Sequence, residues 1–277
     1  MSSPVDQKLW ESVGALKSKA PLVQCLTNYV SMDIMANGLL AIGASPAMVH
    51  ATGELGAAVP IVKAIGGAVS INIGTLDEHW IKSFEQTVEL CKANDVPWVL
   101  DPVAAGFTPL RSNTSIKLME ISPPAVLRGN GSEIMALAGA AGGGKGVDST
   151  EGSDAALEAA KSLAAKYGCV VCVSGAIDYV VGPDAKVMTC PHGHEMLTKV
   201  TAGGCLISSV IAAFVCSRPE DTSVQESAAL ACTYYGLAAE VAMKTSAGPG
   251  SFRVNFLDCL TSLSKDNCDI PVRTAIA

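Results

Sequence analysis

Ala68-Val69-Ser70-Ile71-Asn72-Ile73, then Leu76 to Asn94, then Val96-Pro97-Trp98-Val99-Leu100 leading to Asp101: these three segments follow one another almost without a gap. The first and last are short apolar runs of strand length, and the middle one reads as a helix. A strand, a crossover helix and a second strand in this order place both strands parallel in one sheet. The polar residues Asn72 and Asp101 then fall at or beside the ends of neighbouring strands.

The same alternation extends in both directions. Toward the N-terminus, Val5 to Lys17 reads as helix, with Leu9, Trp10, Val13 and Leu16 on one period. Pro21 to Leu26 is a strand, and Asn28 or Ser31 caps a helix over Met32 to Ile42 that closes at Gly43. Ser45 to Val49 is extended, and a helix runs from Thr52 through Ile65. Toward the C-terminus come helix Arg111 to Ile121, strand Pro124 to Arg128, helix Ser132 to Ala138, helix Ala155 to Tyr167 and strand Cys169 to Val173. Ile177 to Val181 and Lys186 to Thr189 form a hairpin about Gly182-Pro183-Asp184. Glu195 to Val200 is read as one more strand. Leu206 to Cys216, Ser223 to Met243 and Phe252 to Leu263 complete the helices, with Gly248-Pro249-Gly250 as a breaker. Gly139 to Gly146 is read as a mobile flap. The expectation is an α/β fold, a mostly parallel sheet with helices on both faces, in one domain over residues 1–277.

Composition narrows the function classes. Hydrophobic residues make up 49% of the chain against 16% charged, enough for a large core. The formal charge of −7, with no cluster of Lys and Arg, speaks against nucleic acid and anionic membrane as partners. Ten scattered cysteines in a chain of this size read as reduced, which with the absence of a recognisable leader points to the cytoplasm. The partner expected is a small molecule.

In sheets of this kind ligands bind beyond the C-terminal ends of the strands. Asn28, Met48, Asn72, Asp101, Arg128 and Ser174 all fall there. Val200-Thr201-Ala202-Gly203-Gly204-Cys205, followed by the apolar run from Leu206, adds adjacent glycines at the start of a helix. Backbone N–H groups there converge at the positive end of the helix dipole, a pocket for an anion. Cys205 stands at its exit, where the dipole favours thiolate. Phosphoryl transfer needs donors for the phosphates, a cation and a divalent metal. Gly203 and Gly204 supply the first, Arg128 the second, and Asp101 and Glu133 offer carboxylates for Mg2+.

Other motifs are set aside. Gly142 to Gly146 lacks the Ser or Thr that follows lysine in a mononucleotide loop. Cys169 and Cys172 lie three apart on a strand, so they face opposite sides and cannot pair. His192-Gly193-His194 has no further ligands at metal spacing and reads as a polar turn.

Several blocks together resemble hydroxyethylthiazole kinase, a family of the ribokinase-like superfamily. They are Pro21 to Met48, Asn72 to Leu76, Leu100 to Val103, Arg128 to Glu133, Leu197 to Thr201 and Gly248 to Phe252. The resemblance implies a three-layer αβα sandwich with a mostly parallel sheet. It also implies ATP-dependent phosphorylation of 4-methyl-5-(2-hydroxyethyl)thiazole in thiamine salvage. Met48 and Asn28 resemble the family's substrate contacts, and Arg128 and Ser174 its ATP contacts, with Ser174 where Thr is common. Thr201, Gly203 and Gly204 stand at the phosphates, Asp101 and Glu133 near magnesium, and Cys205 at the catalytic position. A homotrimer with sites at the subunit boundaries is implied as well. Ala202 replaces a substrate-contacting glycine of the family, and a positive φ there would cost roughly 1 kcal/mol. A related kinase for a hydroxymethylpyrimidine or pyridoxal-like alcohol is the alternative, or a weakly catalytic binding protein of the same fold.

Overall fold

The computed structural model of the chain describes residues 4–139 and 150–276. The stretch read as a flap lies outside the described residues from position 140 onward. One sheet runs in the order β2-β1-β3-β4-β5-β6-β7-β8-β9. Six strands pair in parallel: β1 (Leu22–Leu26), β2 (Ser45–Ala47), β3 (Ala68–Asn72), β4 (Trp98–Asp101), β5 (Val126–Asn130) and β6 (Val170–Ser174). The antiparallel edge is the expected hairpin, β7 (Asp178–Val181) and β8 (Val187–Cys190), with the short C-terminal β9 (Ala275–Ile276) added to it.

Successive side chains of each strand go to opposite cores. Val99 enters one, Trp98 and Leu100 the other. The first core also takes α1 (Pro4–Lys19), α2 (Met32–Ile42), α8 (Gly203–Ser217), α9 (Val224–Met243) and α10 (Pro249–Ser262). The second takes α3 (Thr52–Ala64), α4 (Glu78–Asn94), α5 (Pro109–Ile121), α6 (Gly131–Leu137) and α7 (Thr150–Tyr167). Helix, sheet and helix thus form three layers. Cys169 and Cys172 sit in opposite cores, as a strand requires.

The helix that follows the glycine turn is the most enclosed. From Leu206 to Val215 every residue of α8 is buried, packed on α2, α9 and the central strands. Burying each such Leu, Ile or Val contributes about 1.5–3 kcal/mol. α2 comes so close that a methyl group at Gly38 would meet the Leu206 side chain well inside contact distance. A well-buried helix therefore holds the glycine turn at a fixed place near the C-terminal ends of the central strands.

Three expectations are corrected. Glu195–Lys199 is a 3-10 helix, not a strand. The His194 ring accepts from the Met196 amide and Thr198 Oγ1 donates to Glu195 O, local bonds that favour a tight turn over a ladder. Neither Asn28 nor Ser31 caps α2 through its side chain in the expected way. The Asn28 side-chain oxygen instead takes the amides of Val30 and Ser31, at 3.0 Å each, in a turn ahead of the helix. β5 runs on to Asn130, which places Arg128 inside the strand and not at its end.

Candidate active site

Register builds the first part of the site. Asn72 on β3 is directly opposite Asp101 on β4, and its Nδ2 donates to Asp101 Oδ2 at 2.8 Å. Ser208, one turn into α8, donates its hydroxyl to the same oxygen at 2.8 Å. Arg128 Nη1 approaches it to 4.0 Å. Burial lifts the Asp101 carboxyl to about 6; Arg128 works against this, Glu133 adds to it, and the Ser208 and Asn72 bonds oppose it. Among the described residues no donor meets Asp101 Oδ1, so this oxygen has its acceptor capacity to spare.

The second part comes from the turn after β1. With its oxygen committed to the Val30 and Ser31 amides, Asn28 presents Nδ2 to Asn72 Oδ1 at 2.7 Å and to Cys205 Sγ at 3.5 Å. A side chain at Gly74 would bring its Cβ within 2.5 Å of that same nitrogen, so only glycine leaves room for Asn28. The Cys205 thiol is pushed up chiefly by burial and further by the Asp101 charge, against smaller opposing effects of Asn28, Asn72 and Arg128. The thiolate expected from a helix N-terminus is not what this environment favours.

At the glycine turn Ala202 has φ of 67°, the left-handed conformation that costs an alanine roughly 1–2 kcal/mol. Gly203 uses its amide on Val200 O at 3.4 Å. Among the described residues the amides of Gly204 and Cys205 donate to no protein group. The convergent free donors therefore sit one residue later than the glycine pair suggests. Tyr235 Oη donates to Gly203 O at 2.7 Å, and Arg128 Nη1 to Gly204 O at 3.0 Å. Ser174 accepts from Arg128 Nε at 2.8 Å, so its hydroxyl aims the guanidinium. A methyl group at Gly204 would lie 3.1 Å from Arg128 Nη1.

Glu133 has a structural task. One carboxylate oxygen closes a capping box with Asn130 at the start of α6, and the other accepts the Ala104 amide at 2.8 Å. Each oxygen keeps a second lone pair. Thr201 is exposed, and Met48 lies half-buried beyond β2, packed against the first core. Among the described residues no cluster of three or more His, Cys, Asp or Glu side chains forms a metal site on its own.

A cavity of about 620 Å³ takes in Arg128, Ser174, Gly203 and Gly204. Asn28, Asp101 and Cys205 are not among the residues that line it. Three site residues carried no signal in the sequence: Ser208, hidden in an apolar run, and Tyr235 and Asp178 on the cavity wall. Nor did the polar turn at His192 reveal that its ring is buried in a network with Glu240 and Arg273, which fastens the C-terminal segment beside the cavity.

This arrangement has relatives. Residues 13–266 match the Hydroxyethylthiazole kinase family. The chain belongs to that family. It is 44% identical over 262 residues to a hydroxyethylthiazole kinase of Cereibacter sphaeroides, spanning 95% of this chain and 96% of that one. A maize (Zea mays) hydroxyethylthiazole kinase is 43% identical, over 97% and 93% of the two chains. The solved hydroxyethylthiazole kinase structure from Pyrococcus horikoshii superposes with a TM-score of 0.87 at 33% identity, over 98% of this chain and 99% of that one. The fold is the ribokinase-like three-layer sandwich.

Proposed function

We propose that this protein is a kinase that transfers the terminal phosphoryl group of ATP to the hydroxyl of 4-methyl-5-(2-hydroxyethyl)thiazole, in thiamine salvage. The observation that carries the reading is the pair of unpartnered amides at Gly204 and Cys205. They head a buried helix, with Arg128 on one side and the Asn28–Cys205 contact on the other. The cavity size suits a nucleotide. ATP lies in it with its phosphates toward Gly204, and the alcohol approaches from the side of Asn28, Cys205 and Met48.

Each residue then has a task. The Gly204 and Cys205 amides and the α8 dipole receive oxygens of the transferring group, fixed donors in a site that needs little rearrangement. Arg128, locked by Ser174 and Gly204 O, adds positive charge. The donor set fits magnesium: it is all oxygen, Asp101 Oδ1 is open, and few protein ligands are needed when phosphates and water complete the shell. Asp101 would hold the ion, with Glu133 reaching it through a spare lone pair. When bound, the ion neutralises charge on the phosphate oxygens. Cys205 enters the reaction as a thiol beside the acceptor hydroxyl, because burial keeps its proton on. A loose transition state asks more of positioning than of proton removal.

The family's trimer is part of the proposal. Exposed apolar Tyr29, Val30 and Phe107 follow directly on the turns of Asn28 and Ala104, where a second copy would cover them. The place of action proposed is the cytoplasm; among the described residues no helix is long and apolar enough to cross a membrane. The experiment is a coupled assay with ATP, magnesium and the thiazole alcohol, run beside hydroxymethylpyrimidine and pyridoxal. Thiazole-dependent ADP release is the expected result. ATP binding without turnover, or turnover only with another alcohol, would reject it.

A further inference from the structure

Asp178, the first residue of β7, lines the cavity with Arg128, Ser174 and Gly204 and has no part in the mechanism above. Its Oδ1 accepts the Gly175 amide at 3.0 Å, which anchors it to the turn just after Ser174. The Cys232 thiol is its other hydrogen-bonding neighbour. Among the described residues no cation pairs with it at salt-bridge distance; Arg128 acts on it only from farther away. Burial raises its carboxyl to about 6, so at neutral pH a weakly satisfied carboxylate faces a space meant for a polyanion.

Such a group repels phosphate, so the part of the ligand it meets must be a neutral donor. Between the phosphates and the base of a nucleotide the neutral donors are the ribose hydroxyls. Carboxylates receive these well, the charged acceptor making the stronger bond. We propose that Asp178 accepts a hydrogen bond from a ribose hydroxyl of the bound nucleotide and so selects ribonucleotides over their deoxy counterparts. This rests on the nucleotide lying in the cavity as described under the proposed function.

The test compares ATP, 2′-deoxy-ATP and 3′-deoxy-ATP as phosphoryl donors for the wild-type chain, Asp178→Ala and Asp178→Asn. Calorimetric titration with ADP and its two deoxy forms runs in parallel. In the wild type at least one deoxynucleotide shows a KM about tenfold or more above that of ATP, and its diphosphate binds correspondingly more weakly. Asp178→Ala raises the KM for ATP by a similar factor and no longer distinguishes the three, with the KM for the thiazole unchanged. Equal use of all three by the wild type overturns the proposal. So does an Asp178→Ala variant that still discriminates, an Asp178→Asn variant that discriminates as strongly as the wild type, or a variant whose only change is in magnesium dependence. If Asp178→Ala fails to fold, as its melting curve would show, the wild-type comparison and Asp178→Asn decide the matter. The calorimetry needs no thiazole turnover, so failure of the assigned reaction and failure of the ribose contact are read separately.

Discussion

Asn28 Nδ2 lies 3.5 Å from Cys205 Sγ while holding Asn72 Oδ1 at 2.7 Å, and through Asn72 the same chain of bonds reaches Asp101. Cys205 and Asp101, which the proposed reaction sets beside the acceptor hydroxyl and the phosphates, are thereby parts of one hydrogen-bonded network. A protonated thiol in that network positions more than it reacts. Cys205→Ala should therefore lower kcat by less than about 100-fold, below the range for loss of a general base. Cys205→Ser should stay nearer the wild type. A fall beyond about 1,000-fold, with an acid limb of the pH profile disappearing, would make the thiol a base after all.

Ala202 is strained by its left-handed backbone, and glycine would not be. Ala202→Gly relieves roughly 1–2 kcal/mol of strain, offset by about 0.4–1 kcal/mol of extra freedom in the unfolded chain. The net gain in stability is between about 0 and 1.6 kcal/mol by these figures. The larger effect is expected on kcat/KM, which rises as the turn presents the Gly204 and Cys205 amides without distortion. Denaturant melts and steady-state kinetics measure both, and identical kinetics would show that the strain is not felt in catalysis.

Gly204 owes its identity to Arg128. A methyl group there meets Nη1 at 3.1 Å, and the guanidinium is fixed on its far side by Ser174. Gly204→Ala should raise the KM for ATP about tenfold while the KM for the thiazole changes little. Ser174→Thr, which keeps the hydroxyl, should stay within about threefold of the wild type, and Ser174→Ala should resemble Gly204→Ala; these factors correspond to about 1.4 kcal/mol for the tenfold effects.

The pH profile follows from Asp101. Its carboxyl titrates near 6, raised from the usual carboxylate value near 3.8 by burial, and the proposed role of holding a cation requires it ionised. The acid limb of kcat/KM, which reports the free enzyme, should therefore fall below about pH 6 instead of pH 4. For stability the sign is opposite. A raised carboxyl pKa favours the folded state while the proton is on, a contribution fully present below pH 3.8 and lost as pH rises through about 6. Asp178 titrates in the same range, so Asp178→Asn is the control. The acid limb persists in that variant and vanishes in Asp101→Asn.

The alternation of elements was legible because short apolar runs, helical periods and glycine or proline breaks are local properties. Glu195–Lys199 escaped because its bonds are side chain to backbone, which leave no periodic trace. Asn72 and Asp101 were each legible as strand-end residues, but their contact needed the β3–β4 register. Ser208 was invisible, a small polar residue inside a run whose composition says core, and only the docking of α8 on β4 brings its hydroxyl to Asp101. The glycine turn itself was legible as a bend at a helix start. Which amides it frees depends on where α8 begins, and helix starts are set by the last hydrogen bonds, not by composition.

The most direct measurement is a crystal structure with a non-hydrolysable ATP analogue, magnesium and the thiazole alcohol. Oxygens of the terminal phosphate should lie within about 3 Å of both the Gly204 and Cys205 amide nitrogens, with the alcohol oxygen next to Cys205 Sγ. A nucleotide whose phosphates bind elsewhere, leaving those amides to solvent or to protein, would contradict the assignment.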